Sequence, residues 1–299
     1  MTRLLLFALL TVAAAWLAPV TKVAAMVEGQ VQETIDDDSE EQDSGVAGFQ
    51  HKFRFPEDVR PTSLFGIDVS HHQGEIDWSK VSDQSVVFAY VKATQGSTHL
   101  DGQFASHWQS LEQQGNIFRG AYHFMRALGD PAEQAENFLE TTGDAAGDLP
   151  PCLDLEWDFQ TKNGKRVRNK DGLPSDRWAR LSSEEIVRRA LVWLKAVEAK
   201  TGKKPIIYTN SHWWKKRIKD GKDLAGYRLW IADYAGESLR AEVPWVPDGF
   251  EWVFWQITDR GVLSTGGVDG RVDANYYRGT HADFIREFGL SDAAVREMQ

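Results

Sequence analysis

From about residue 61 the chain alternates short apolar runs with helical stretches, and this alternation limits the folds open to it more than any other feature. "SLFGIDVS" and "SVVFAYVKAT" read as strands, the second rich enough in Val and aromatic residues to be buried on both faces. "GQFASHWQSLEQQGN" places Phe104, Trp108 and Leu111 at helical spacing and closes on Gly115. "IFRGAYHFM" is a third strand. "DPAEQAENFLETTG" is a helix opened by Asp130-Pro131, and "PPCLDLEW" is a fourth strand. After the polar, basic loop "DFQTKNGKRVRNKDGLPSDRWAR" comes the clearest helix, "LSSEEIVRRALVWLKAVEAKTG", with Ser182 or Ser183 as its cap. "KPIIYTN" is a fifth strand and "SHWWKKRIKD" a short helix. "YRLWIADY", "FEWVFWQITD" and "RVDANYY" are three more strands, joined by loops rather than long helices. Such alternation argues for a parallel sheet. About eight strands in one unit argue for a closed α/β barrel over 61–290, irregular at its end, in a single domain.

The flanking segments differ in composition. Residues 1–25 carry an early cation, Arg3, an apolar stretch to about Val20 and small residues at Val23-Ala24-Ala25, the pattern of an export signal. A periplasmic or extracellular location follows as an expectation; an uncleaved membrane anchor is the other reading. Residues 26–60 read as an acidic disordered linker, whose Glu28, Glu33, Asp36, Asp37, Asp38, Glu40, Glu41 and Asp43 carry most of the formal net charge of −10. Residues 291–299 form a C-terminal tail. No basic face suggests nucleic acid. The single cysteine, Cys152, reads as a small buried residue, and zinc-thiolate chemistry has no second thiolate. His71-His72, taken as adjacent strand residues facing opposite ways, make a poor chelate, so no metal or cofactor is expected. Nothing calls for a partner subunit, and a monomer is expected.

The apolar run at 150–157 ends in two carboxylates. Asp154 and Glu156 stand two apart, so in a strand they face one way, roughly 6.6 Å apart at the backbone. Both fall at the C-terminal end of their strand, where parallel barrels do chemistry. Asp68 ends the first strand, Asp233 the sixth, and Asp273 and Asn275 lie on the last. Five acids at one mouth repel one another, so some must be protonated or paired, which drives their pKa values apart for acid/base work. The chain has twelve Trp, and Trp157, directly after Glu156, suits stacking on a sugar ring.

"GIDVSHHQGEIDW", "FAYVKATQG", "GAYHF", "DLEW", "IIYTN", "LWIADY", "FWQIT" and "VDANYY", in that order over roughly 64–279, resemble the family 25 glycoside hydrolases, lysozymes of the N-acetylmuramidase type. The resemblance implies an irregular barrel, (β/α)5β3, as its single catalytic domain. It also implies hydrolysis of the β-1,4 bond between N-acetylmuramic acid and N-acetylglucosamine in peptidoglycan. Glu156 would be the general acid/base and Asp154 would orient the substrate's acetamido group. Asp68 and Asp273 would complete the acidic cluster. Tyr122 and His123 would line the cleft, with Tyr208, Asp233, Gln256 and Asn275 in the substrate-binding set. Strand spacing alone leaves the stereochemistry open; the resemblance favours retention with the acetamido group as nucleophile.

Gln95 stands where many family members carry an acid. Residues 158–180 look inserted relative to the family pattern. They read as a solvated loop, or more sharply as a basic contact, through Lys162, Lys165, Arg166, Arg168 and Lys170, for the anionic peptide stems of peptidoglycan. Two alternatives remain: a catalytically silent peptidoglycan-binding protein, and a chitinase-like glycosidase, whose D-x-x-D-x-D-x-E motif would need acids where this chain has Leu149 and Cys152.

Overall fold

The computed structural model describes residues 53–54 (backbone only), 64–83, 86–143, 147–234, 243–263 and 266–290. The expected signal (1–25) and tail (291–299), and nearly all of the expected linker (26–60), lie outside the described residues. Within that linker, however, Phe53–Arg54 pairs in parallel with Gly261–Val262. Phe53–Arg54 are thus a sheet strand inside the segment expected to be a linker.

Eight strands close a ring: β1 (Leu64–Val69), β2 (Val86–Gln95), β3 (Phe118–Phe124), β4 (Cys152–Asp154), β5 (Ile206–Asn210), β6 (Leu229–Ala232), β7 (Trp252–Val262) and β8 (Val272–Tyr277). Strands β1 to β7 pair in chain order and in parallel. β8 runs antiparallel to both β7 and β1 and shuts the barrel. Helices α1 (Trp78–Ser82), α2 (Phe104–Gln114), α3 (Pro131–Thr142), α4 (Ser183–Thr201) and α5 (Ser211–Arg217) follow the first five strands. The expected five β/α units and three closing strands are therefore present. Local chemistry sets the ends: Asp130 caps α3 through Ala132 N, Ser182 caps α4 through Glu185 N, and Gly202 ends α4 at φ 68°. No helix among the described residues is long and apolar enough to cross a membrane.

The period of two along the strands builds two cores. Inward residues, among them Phe88, Tyr90, Cys152, Ile206, Tyr208, Trp230 and Phe254, fill the barrel. Their neighbours Ala89, Val91, Leu153, Ile207 and Ile231 face α2 to α4, against Phe104, Phe138, Ala190 and Trp193. Glycine makes room for the inner rings. A Cβ on Gly120 would lie 2.4 Å from the Tyr90 ring, whose hydroxyl is tied to the Pro150 carbonyl at 3.0 Å and cannot swing away. Gly120→Ala should therefore lower stability by about 2 kcal/mol, read from the urea midpoint; an unchanged midpoint would contradict this packing.

A helix not anticipated from the sequence, α6 (His281–Phe288), follows β8. Its Phe284 and Phe288 pack on Phe88, Phe254 and Tyr277. Tyr277 is in register with Leu64 at the start of β1, so α6 covers the N-terminal end of the parallel strands. The other end is left for a site.

The barrel belongs to the unit Ser44–Gln160 and Arg166–Gln299. Thr161–Lys165 groups separately and consists of a two-residue strand and a turn through Asn163 (φ 53°) and Gly164 (φ 70°). The remainder of the expected loop 158–180 is packed at both ends: Asp158 and Trp178 are fully buried, and Arg177–Arg180 form a 3-10 turn.

Candidate active site

The antiparallel β8 brings its first residues beside the last residues of β1. Asp273 lies directly opposite Asp68, and Asn275 opposite Gly66. The two carboxyls are hydrogen-bonded to each other. Gln256, on the neighbouring β7, organises them. Its Nε2 donates to Asp68 Oδ2 (2.9 Å) and to Asp273 Oδ2 (3.2 Å). Its Oε1 accepts from Tyr208 Oη (2.8 Å) and Tyr234 Oη (2.7 Å). All four hydrogen-bonding positions of a buried amide are used. Asn275 Nδ2 adds a bond to Asp68 Oδ2 at 2.8 Å, while its own Oδ1 accepts from Trp230 Nε1 at 2.7 Å.

Burial raises the Asp68 pKa, and the hydrogen bonds from Asn275, Gln256 and Asp273 offset this only in part. A carboxyl with a raised folded-state pKa contributes its full stability below the unfolded value and loses it as pH rises through the folded one. Asp68→Asn removes the charge but keeps an oxygen for Asn275 and Gln256 and offers N–H to Asp273. It should raise the melting temperature by a few degrees at pH 7 and by much less at pH 4; an equal gain at both would contradict the titration.

Two tyrosines show where the acids meet. Tyr122, on β3, has its pKa pushed well up by burial and then by Asp68, Asp154, Asp101 and Asp273. Tyr208 is pushed well up by burial and then by Tyr234, Glu156, Asp154 and Asp68. Asp68, Asp154 and Asp273 thus converge around Tyr122, and Glu156 and Asp154 share Tyr208. β4 itself ends at Asp154. Pairing continues for one residue, as Leu155 N donates to the Tyr208 carbonyl at 2.9 Å. The Glu156 carbonyl accepts from Trp178 Nε1 at 2.7 Å, so the insertion fixes the backbone of this acid. That turn is anchored by buried Asp158, which accepts from Arg126 Nη1 (2.8 Å), Arg177 Nη1 (2.7 Å) and Ala127 N (3.0 Å).

One expected site residue is placed differently. His123 does not line the cleft. It is fully buried on the outer side of β3, bonded to Thr94 Oγ1 (2.7 Å) and Gln134 Oε1 (3.2 Å) and stacked on Trp193 of α4. It follows inward Tyr122, and adjacent strand residues point to opposite faces. The half-buried Trp157 ring stacks on Phe159 beside His212, Lys216 and Arg217. Asp233 Oδ2 accepts from Trp245 N at 3.0 Å. Tyr208, Gln256 and Asn275 are buried and wired beneath the acids.

Asp101 was missed. It is 2% exposed and accepts from His71 Nδ1 (2.7 Å), His71 N (3.2 Å) and Gln103 N (3.0 Å). Burial raises its pKa, but these bonds outweigh burial and leave it below the usual carboxylate value. His71 and His72 lie in a 3-10 turn, not a strand, with ring centroids 4.1 Å apart. No group of three or more His, Cys, Asp or Glu among the described residues could hold a metal ion. Leu149 and Cys152, where a chitinase motif needs acids, are fully buried in the barrel core.

The model of the glycosyl hydrolases of family 25 matches residues 67–266. The uncharacterized protein YegX of Escherichia coli O6:H1 is 35% identical over 227 residues, 73% of this chain and 71% of that protein. Lysozyme M1 of Streptomyces globisporus is 33% identical over 230 residues, 74% of this chain and 69% of its own length. Among solved structures, the bacterial lysozyme from Streptomyces coelicolor superposes with a TM-score of 0.63 at 30% identity, covering 79% of this chain and 100% of that one. With its eight-stranded barrel, its acids at the strand ends and these matches, the chain belongs to the glycosyl hydrolases of family 25.

Proposed function

We propose that the protein is a lysozyme that hydrolyses the β-1,4 bond between N-acetylmuramic acid and N-acetylglucosamine in peptidoglycan. The observation that carries this reading is the gathering of acids at one end of a family 25 barrel: Asp273 lies opposite Asp68, and Asp154, two residues before Glu156, is in register with Tyr208, which Gln256 ties to both Asp68 and Asp273. Glycoside cleavage needs a carboxyl that protonates the leaving oxygen and negative charge near the developing oxocarbenium ion. Glu156, half-buried at the rim, donates the proton. Asp154, buried beside it, orients the acetamido group, whose oxygen attacks the anomeric carbon as the glycosidic C–O bond breaks; water, giving its proton to Glu156, then opens this cyclic intermediate, and the two inversions together retain configuration. Asp68 and Asp273 hold the floor of the site together under Gln256, where burial raises the Asp68 pKa. Tyr122 lies among these carboxyls as a wall of the cleft. No cofactor is needed. The enzyme acts as a monomer and is exported through residues 1–25 to reach its polymeric substrate.

Following the anomeric proton signals of fresh ends during digestion of purified peptidoglycan tests this reading. The β-anomer should appear first and then mutarotate. The α-anomer first would overturn retention, and no new ends would overturn the activity.

A further inference from the structure

Beside the acidic floor, cations and aromatic rings gather in a strip. Trp157 and Phe159 stack with centroids 5.7 Å apart and planes 7° from parallel. The Arg166 guanidinium lies 4.8 Å from the Phe159 centroid. Lys216 Nζ and Arg217 Cζ each lie 5.7 Å from that of Trp157, and Lys215 Nζ lies 4.5 Å from that of Trp245. Arg166 comes from the insertion and the others from α5, a meeting that chain order does not show.

Two of the nearby acids are spent internally. Asp158 is fully buried under Arg126 and Arg177, and Asp176 is buried and held by Arg217 at 2.7 Å. Lys215 and Lys216 are exposed and make no ion pair among the described residues. The strip is therefore locally cationic on a chain of net charge −10. It starts at Trp157, one residue past Glu156.

The glycan of the proposed substrate is uncharged. Its fixed negative charge lies in the carboxylates of the stem peptides borne on muramic acid. We propose that Trp157, Phe159, Arg166, Lys215 and Lys216 form a docking surface for the anionic stem peptides of the strand whose glycan lies at Glu156. This rests on the muramidase reading. The rings hold the cationic groups out along the surface and pack against the apolar parts of the peptide, while the cations meet its carboxylates. Such attraction between exposed charges is screened by salt.

The test uses a Lys215→Glu/Lys216→Glu double variant in two settings. Binding is measured by cosedimentation, with Glu156→Gln in both backgrounds, on purified stem-bearing glycan and on the same glycan stripped of stems by an amidase. The charge reversals should weaken binding to stem-bearing glycan about tenfold at low salt, with the difference gone by about 0.5 M NaCl, and leave stripped glycan unaffected. An equal loss on both glycans, or none on either, overturns the proposal. So does a loss seen only on walls that retain phosphate polymers. In the active background the same change should raise KM on stem-bearing glycan and leave kcat alone; a fall in kcat with KM unchanged overturns it. A wild-type enzyme that binds but leaves the glycan intact would refute the muramidase reading, while the binding comparison would still decide the strip.

Discussion

Glu156→Gln should abolish cleavage of peptidoglycan, by about 10³-fold or more, with no loss of folded structure. The magnitude follows from removing a positioned proton donor. The fold should survive because the substitution keeps the side chain's shape at a half-buried rim position. The backbone there is held by Trp178 Nε1 and by the Leu155–Tyr208 bond, neither of which involves the Glu156 side chain. Rates are measured by the release of reducing sugar, and folding by circular dichroism and thermal melting. A variant that retained a tenth of the activity would show that another group supplies the proton.

The second large effect is expected at Gln256. Gln256→Leu leaves two tyrosine hydroxyls and two carboxyls around a buried apolar group, since Tyr208, Tyr234, Asp68 and Asp273 all bond to the lost amide. Stranding several buried polar groups at once costs about 3–5 kcal/mol. Gln256→Glu separates packing from charge. It retains the shape but sets a third carboxyl against Asp68 and Asp273, so its stability deficit should grow as pH rises and all three ionise. Chemical denaturation at pH 4.5 and 7.5 reads both effects. A Leu variant within about 0.5 kcal/mol of wild type would mean that the network is incidental.

Much of this architecture was legible in the sequence because it rests on local periodicity. The inward and outward cores follow from alternation within single strands, as with Cys152 against Leu153 and Trp230 against Ile231. The acids at strand ends were legible for the same reason: Asp68, Asp154 and Asp273 each end or begin an apolar run. One misplacement came from setting that rule aside: Tyr122 and His123 are neighbours in β3 and cannot both face the cleft. α6 had a readable signal in the Thr280/Asp283 capping box, but it is short and its apolar face shows only against the barrel floor. The rest is a matter of contacts across space. Gln256 sits 188 residues from Asp68, and His71 sits 30 from Asp101. Nothing in the local pattern around Trp178 announces that it fixes Glu156 from 22 residues away.

Carboxyls acting as proposed cut the glycan strand on the reducing side of muramic acid. Reducing the products of a complete digest with borohydride and hydrolysing them to amino sugars measures this directly. Muramicitol should be the new end sugar, absent when Glu156→Gln replaces the wild type. Glucosaminitol in its place, or no new alditol at all, would contradict it.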